Sequence, residues 1–110
     1  MRVSELTKET KMLEVVYKTT SGTFPVMVEY RTQAVTLGFL KELEQAQGAN
    51  KIVYQVTQVV KSWDLLDDND KVIPITAEAI EAAGVPVYLL SSILGAIAED
   101  RLIGDDAKNA

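Results

Sequence analysis

Asn50-Lys51-Ile52-Val53-Tyr54-Gln55-Val56-Thr57-Gln58-Val59-Val60-Lys61-Ser62-Trp63 is the stretch on which the fold turns. Its apolar residues Ile52, Val53, Val56, Val59, Val60 and Trp63 fall at i, i+1, i+4, i+7, i+8 and i+11, the spacing of one helical face. Branched Val side chains lose rotamer freedom in a helix, which leaves a strand open. The 3.6-residue period selects a helix running to Trp63, with Asn50 as its cap.

Upstream, Met12-Leu-Glu-Val-Val-Tyr-Lys18 and Phe24-Pro-Val-Met-Val-Glu-Tyr30 are β-branched and aromatic, and Thr19-Thr20-Ser21-Gly22-Thr23 between them carries turn chemistry. This predicts a β-hairpin over 12–30. Alternation places Leu13, Val15 and Tyr17 on one face of the first strand and Phe24, Val26, Val28 and Tyr30 on one face of the second, both directed at helices. Pro25 cannot donate to a ladder and belongs at the start or outer edge of its strand. From Ala34 the period changes: Leu37, Leu40 and Leu43 form a helical stripe, closed by Gly48.

Downstream, Asp64–Lys71 reads as a polar turn and Val72-Ile73-Pro74-Ile75 as a short extended return. Thr76 suits the cap of a short helix through Ala83, with Glu78 in its first turn and Gly84 closing it. Pro86 opens a last helix whose Val87, Leu90, Ile93, Leu94 and Ile97 make an apolar stripe ending near Asp100. The expected fold is therefore α+β, an N-terminal β-hairpin followed by a bundle of about four α-helices. It forms one domain over 11–103, with the helical part from 34, between a flexible start (1–10) and a flexible tail (104–110).

Composition narrows the function. The 110 residues are 47% hydrophobic and 25% charged, globular in balance. Sixteen acidic against eleven basic residues give a net charge of −5, which repels nucleic-acid backbones and anionic membranes. With neither His nor Cys, the chain lacks the usual neutral-pH base, the thiolate nucleophile and the commonest zinc ligands. No apolar run approaches the roughly 20 residues that span a bilayer.

The acidic loop offers one ligand constellation: Asp67, Asn69 and Glu78 fit positions 1, 3 and 12 of an EF-hand. Lys71 and Val72 then fall where a ligand and the turn glycine belong, so the calcium site fails. The loop carboxylates have nothing to desolvate them, and the scattered glycines form no phosphate cradle. The expectation is a non-enzyme with no metal and no cofactor. Trp63, the sole Trp, suits a core anchor or an interface residue. Tyr88, Leu89 and Leu90 with Ala96 and Ala98 make the last helix apolar over more than one face, which calls for two neighbours, one of which can be another chain.

The segment Trp63-Asp64-Leu65-Leu66-Asp67-Asp68-Asn69-Asp70-Lys71-Val72-Ile73-Pro74-Ile75-Thr76-Ala77-Glu78 resembles a pattern of the tail assembly chaperones of long-tailed bacteriophages. There a helix ends in Trp-Asp, followed by an acidic turn, a Lys-hydrophobic-hydrophobic-Pro return and a Thr-x-Glu helix start. Gly84-Val85-Pro86-Val87 and the acidic end Ala98-Glu99-Asp100 extend the likeness, which spans residues 34–104. Asn69-Asp70 stands where the family usually has Gly, and the hairpin is outside the pattern. The resemblance implies a protein of the infected host cytoplasm, absent from the mature virion. It would self-associate, bind the tape measure protein and help tail-tube subunits assemble around it. A structural tail-completion or head–tail connector protein is the alternative. A tape measure protein exposes long apolar helical stripes, so the partner surface is expected on the last helix and beside it, at Trp63, Tyr88, Leu89 and Ile93, with the acidic loop near the rim.

Overall fold

The computed structural model describes residues 9–45 and 48–109, from 103 onward as backbone. Residues 1–8 of the expected flexible start lie outside the described part; Thr10 already begins a strand.

Strands β1 (Thr10–Thr19) and β2 (Gly22–Arg31) form the predicted hairpin. The turn chemistry resolves into a connection of only Thr20 and Ser21, after which Gly22 takes φ 145°, a conformation side-chain-bearing residues rarely adopt. Leu13 pairs with Val28, Val15 with Val26 and Tyr17 with Phe24, so the expected faces coincide. Val15, Val26, Val28 and Tyr30 are buried, while Phe24 remains half exposed at the hairpin tip.

A 3-10 turn (Thr32–Ala34) leads to helix α1 (Leu37–Gln45), where Thr36 Oγ1 accepts from Phe39 N at 3.1 Å. Phe39 is buried and Leu40 and Leu43 are half-buried, whereas Leu37 faces solvent, so the stripe is rotated from the expected one. Helix α2 (Ala49–Val59) starts one residue before Asn50, and Gly48 (φ 108°) stands at the cap position without a side-chain hydrogen bond.

The largest correction lies in the opening stretch. The helix stops at Val59, and Val60–Trp63 form strand β3, antiparallel to β2, which makes a three-stranded sheet in the order β1-β2-β3. Trp63 pairs with Val28 and Val60 with Tyr30, with a bulge between them. In a regular strand, residues three apart point to opposite faces; the bulged residue restores Val60 and Trp63 to the same buried face. A strand thus reproduces a helical spacing. Asp64 extends the ladder: its N–H donates to Met27 O (3.1 Å) and its Oδ1 accepts from Met27 N (2.9 Å). Arg31 Nη1 reaches Val60 O at 3.1 Å, placing a cation at the C-terminal end of α2, where the helix dipole favours it.

The acidic stretch folds into a tight loop bridged by Leu66 and Val72. Asp67 Oδ1 accepts from the main-chain N–H of Asn69 (2.8 Å) and Lys71 (3.1 Å), so that carboxylate is engaged in shaping the turn. Asp70 takes φ 60°, the left-handed conformation that a glycine would adopt without strain. Helix α3 (Ala77–Ala82) is capped as expected by Thr76, whose side chain accepts from Ala79 N. It ends in a Schellman arrangement: Val85 N donates to Ile80 O, Gly84 N donates to Glu81 O, and Gly84 sits at φ 70°.

Helix α4 (Val87–Asn109) follows Pro86 and continues beyond both the expected end near Asp100 and the tail predicted from 104. No proline interrupts it, and its two glycines, Gly95 and Gly104, cost only about 1 kcal/mol each. It runs along β1, with the Tyr88 ring centroid 6.1 Å from that of Tyr17 and Asp100 Oδ2 2.9 Å from Lys11 Nζ. The helices therefore form no free-standing bundle. Leu90, Ile93, Leu94 and Ile97 of α4 and Val56 and Val59 of α2 share one core with the inner face of the sheet.

Candidate functional site

Most of the apolar surface read as available for partners is used by this core. Trp63 is buried, and its indole Nε1 donates to Ile73 O at 2.7 Å, tying the loop's return segment to β3. Leu89 and Ile93 are buried as well. Successive helical residues diverge by about 100°; Tyr88 and Leu89 therefore cannot share one outward side. Of the four expected partner residues only Tyr88, 70% exposed, has surface to offer, and it lies against Tyr17 of β1.

What remains open is a groove of about 800 Å³ between α2, α3 and the start of α4. Val53, Tyr54 and Thr57 form the α2 wall, Thr76, Ala77, Glu78, Ile80 and Glu81 the α3 wall, and Val87 and Leu90 the end by α4. Tyr54 is 60% exposed and Val87 42%, large apolar surfaces that the fold leaves unused. Helix α3 is only six residues long, and Ile80, its buried residue, belongs both to the shared core and to the floor of the groove.

Charge on the groove is one-sided. Among the described residues Glu78, in the first turn of α3, and Glu81 are the only carboxylates that line it, both exposed, and no Lys or Arg does. Such a surface favours an apolar helix with a cation beside its apolar stripe.

The acidic loop borders a different hollow of about 440 Å³, across α3 from the groove, formed with Pro74, Ala79 and Ala83. Sequence reasoning named Val53 as part of the α2 stripe and Val87 as part of the last stripe, and it passed over Tyr54. The signal was present: Ile52, Val53 and Tyr54 in succession widen the apolar arc of α2 beyond what one neighbour can cover.

Away from the groove, one polar cluster ties α4 to the sheet. Tyr30 Oη donates to Asp100 Oδ2 at 2.5 Å, and Lys11 pairs with the same oxygen. Burial, then the Asp100 hydrogen bond and charge, push the Tyr30 phenol well above its usual range. Burial on its own would raise the Asp100 carboxyl; the hydrogen bonds from Tyr30 and Lys11 and the nearby cations outweigh it and hold the group below the usual carboxylate range.

No protein-family model matches this chain, and comparison with curated proteins and with solved structures gives no match. No helix among the described residues is long and apolar enough to cross a membrane.

Proposed function

We propose that this protein is a tail assembly chaperone of a long-tailed phage, acting without catalysis in the host cytoplasm, and that the α2–α3–α4 groove holds helical segments of the tape measure protein. The sequence likeness over 34–104 suggests the family. The observation that carries the mechanism is the open apolar groove with an acidic rim. A tape measure helix seated there would bury its apolar stripe against Val53, Tyr54 and Val87 while a flanking Lys or Arg approached Glu78 and Glu81. A groove this open binds each segment weakly, so several copies along one long helix shield it by avidity and still let go when tail-tube subunits arrive.

The test is binding of a purified tape measure fragment by wild-type protein and by Tyr54→Asp and Val87→Asp. Covering a half-exposed side chain is worth about 1–1.5 kcal/mol, so each change should weaken binding about five- to tenfold. Both residues are exposed, and unchanged circular dichroism verifies the fold. Undiminished binding by both variants removes the groove from the mechanism. Mass spectrometry of purified virions separates the chaperone from a tail-completion or head–tail connector protein. A stoichiometric presence in the particle would establish the structural role.

A further inference from the structure

β1 is an edge strand of ten residues, and among the described residues nothing pairs with its outer side. Which main-chain groups it presents there follows from β2. Both the N–H and the C=O of Met27 bond to Asp64 and so point towards β3. Met27 sits opposite Glu14, and antiparallel ladders alternate bonded with non-bonded pairs. Glu14 therefore directs its own N–H and C=O to the free edge, and the two-residue period adds Met12, Val16 and Lys18. The bond from Thr32 N to Glu9 O keeps the same alternation. An edge of this length is a ready template for another strand.

We propose that β1 pairs antiparallel with β1 of a second copy, about a twofold axis at Val16, to give one continuous six-stranded sheet. Charge selects both the occupant and the register. Among registers centred from Leu13 to Tyr17, centring on Glu14 sets two carboxylates against each other. Centring on Leu13, Val15 or Tyr17 sets Glu14 opposite Met12, Val16 or Thr20. Only centring on Val16 sets Glu14 opposite Lys18 of the second copy, and the symmetry makes that pair twice. Neither residue has an ion-pair partner within its own chain among the described residues, and both are exposed. The register also meets the hydrogen-bonding requirement, because Glu14, Val16 and Lys18 are the residues whose main-chain groups face outward.

On the helix-covered face the same register puts Tyr17 of each copy opposite Val15 of the other. That seam runs beside Tyr88, the large exposed ring that the core leaves uncovered. The groove is lined by no residue of β1, so it stays open in the pair. The inference stands on the sheet edge and does not depend on what the groove binds.

The chain has no Cys, so single cysteines report the register directly. Across a bonded antiparallel pair the Cα atoms lie about 5.5 Å apart, within disulfide range, so Val16→Cys should cross-link to a covalent dimer under mild oxidation. Glu14→Cys places its two sulfurs on positions about 14 Å apart and should cross-link at least tenfold more slowly. By sedimentation velocity the wild type should be dimeric, with Glu14→Lys and Lys18→Glu each weakening the dimer at least tenfold. Mixing the two single variants, or combining them in one chain, should restore it. A wild type that stays monomeric at hundreds of micromolar overturns the proposal. So do equal cross-linking of the two cysteine variants, a dimer indifferent to the single charge reversals, and a failure of the double reversal to recover.

Discussion

Gln55 lies on the buried side of α2, beside Val56 and Val59, and only 1% of it is exposed. Among the described residues neither its Nε2 nor its Oε1 has a hydrogen-bond partner. Burying an amide unpaired costs about 1–3 kcal/mol in protein substitution series. Met is close to Gln in length and volume, is equally suited to a helix, and has no strong hydrogen-bonding group to strand. Gln55→Met should therefore stabilise the domain by about 1–3 kcal/mol. At this chain length 1 kcal/mol corresponds to about 4 °C, so the melting temperature should rise by roughly 4–12 °C. Trp63, the sole Trp and part of the core, supplies an intrinsic fluorescence signal for urea titration. With a slope in the usual range of about 1–3 kcal/mol per molar urea, the midpoint should move up by about 1 M with the slope unchanged. Gln55→Ala, which also removes the polar atoms but leaves a cavity, should gain less or lose stability. A Gln55→Met protein less stable than wild type would refute the reasoning, because it would mean that the amide is satisfied in solution.

Three further outcomes follow from the geometry. Trp63→Phe removes the donor to a buried Ile73 carbonyl and should cost about 1–3 kcal/mol, measured by circular dichroism; a cost below about 0.5 kcal/mol would dissociate the loop from this bond. Asp70→Gly relieves the left-handed backbone strain and should be neutral or stabilising by up to about 1 kcal/mol, whereas Gly84→Val at φ 70° should be destabilising by a similar amount or more. The Asp100 carboxyl is held low, so its contribution is complete above the unfolded carboxylate range near pH 4 and is lost as pH falls through its lower folded value. Asp100→Asn should flatten that acid limb in urea melts taken from pH 6 to pH 2. Tyr30 is pushed the other way, so its contribution is complete below about pH 10 and is lost above it; Tyr30→Phe should remove that alkaline loss.

The residues that sequence reading placed well are those whose structure is decided within a few positions along the chain. The hairpin faces follow from strict alternation over 12–18 and 24–30, and the observed register puts Val15 against Val26 and Leu13 against Val28. Thr76 caps α3 because its hydroxyl reaches an amide three residues away, and Gly84 closes that helix because the positive φ there is strained for any residue with a Cβ. Of the candidate site, Tyr88 was recognisable as surplus apolar surface. The groove was only hinted at, by the widened arc that includes Tyr54.

By itself, then, the sequence determined the α+β class, the hairpin and its inward face, the short capped helix and the absence of His and Cys chemistry. Tertiary structure decided that Val60–Trp63 is a strand, because the groups that hold it there belong to β2 and Asp64 completes the ladder at Met27, 37 positions back along the chain. It also decided that Leu89 and Ile93 face the core and that α2, α3 and the start of α4 enclose an open groove. Local rules act through neighbours a few bonds away, whereas an apolar residue at a helical spacing is inside or outside only once a second element has arrived to cover it.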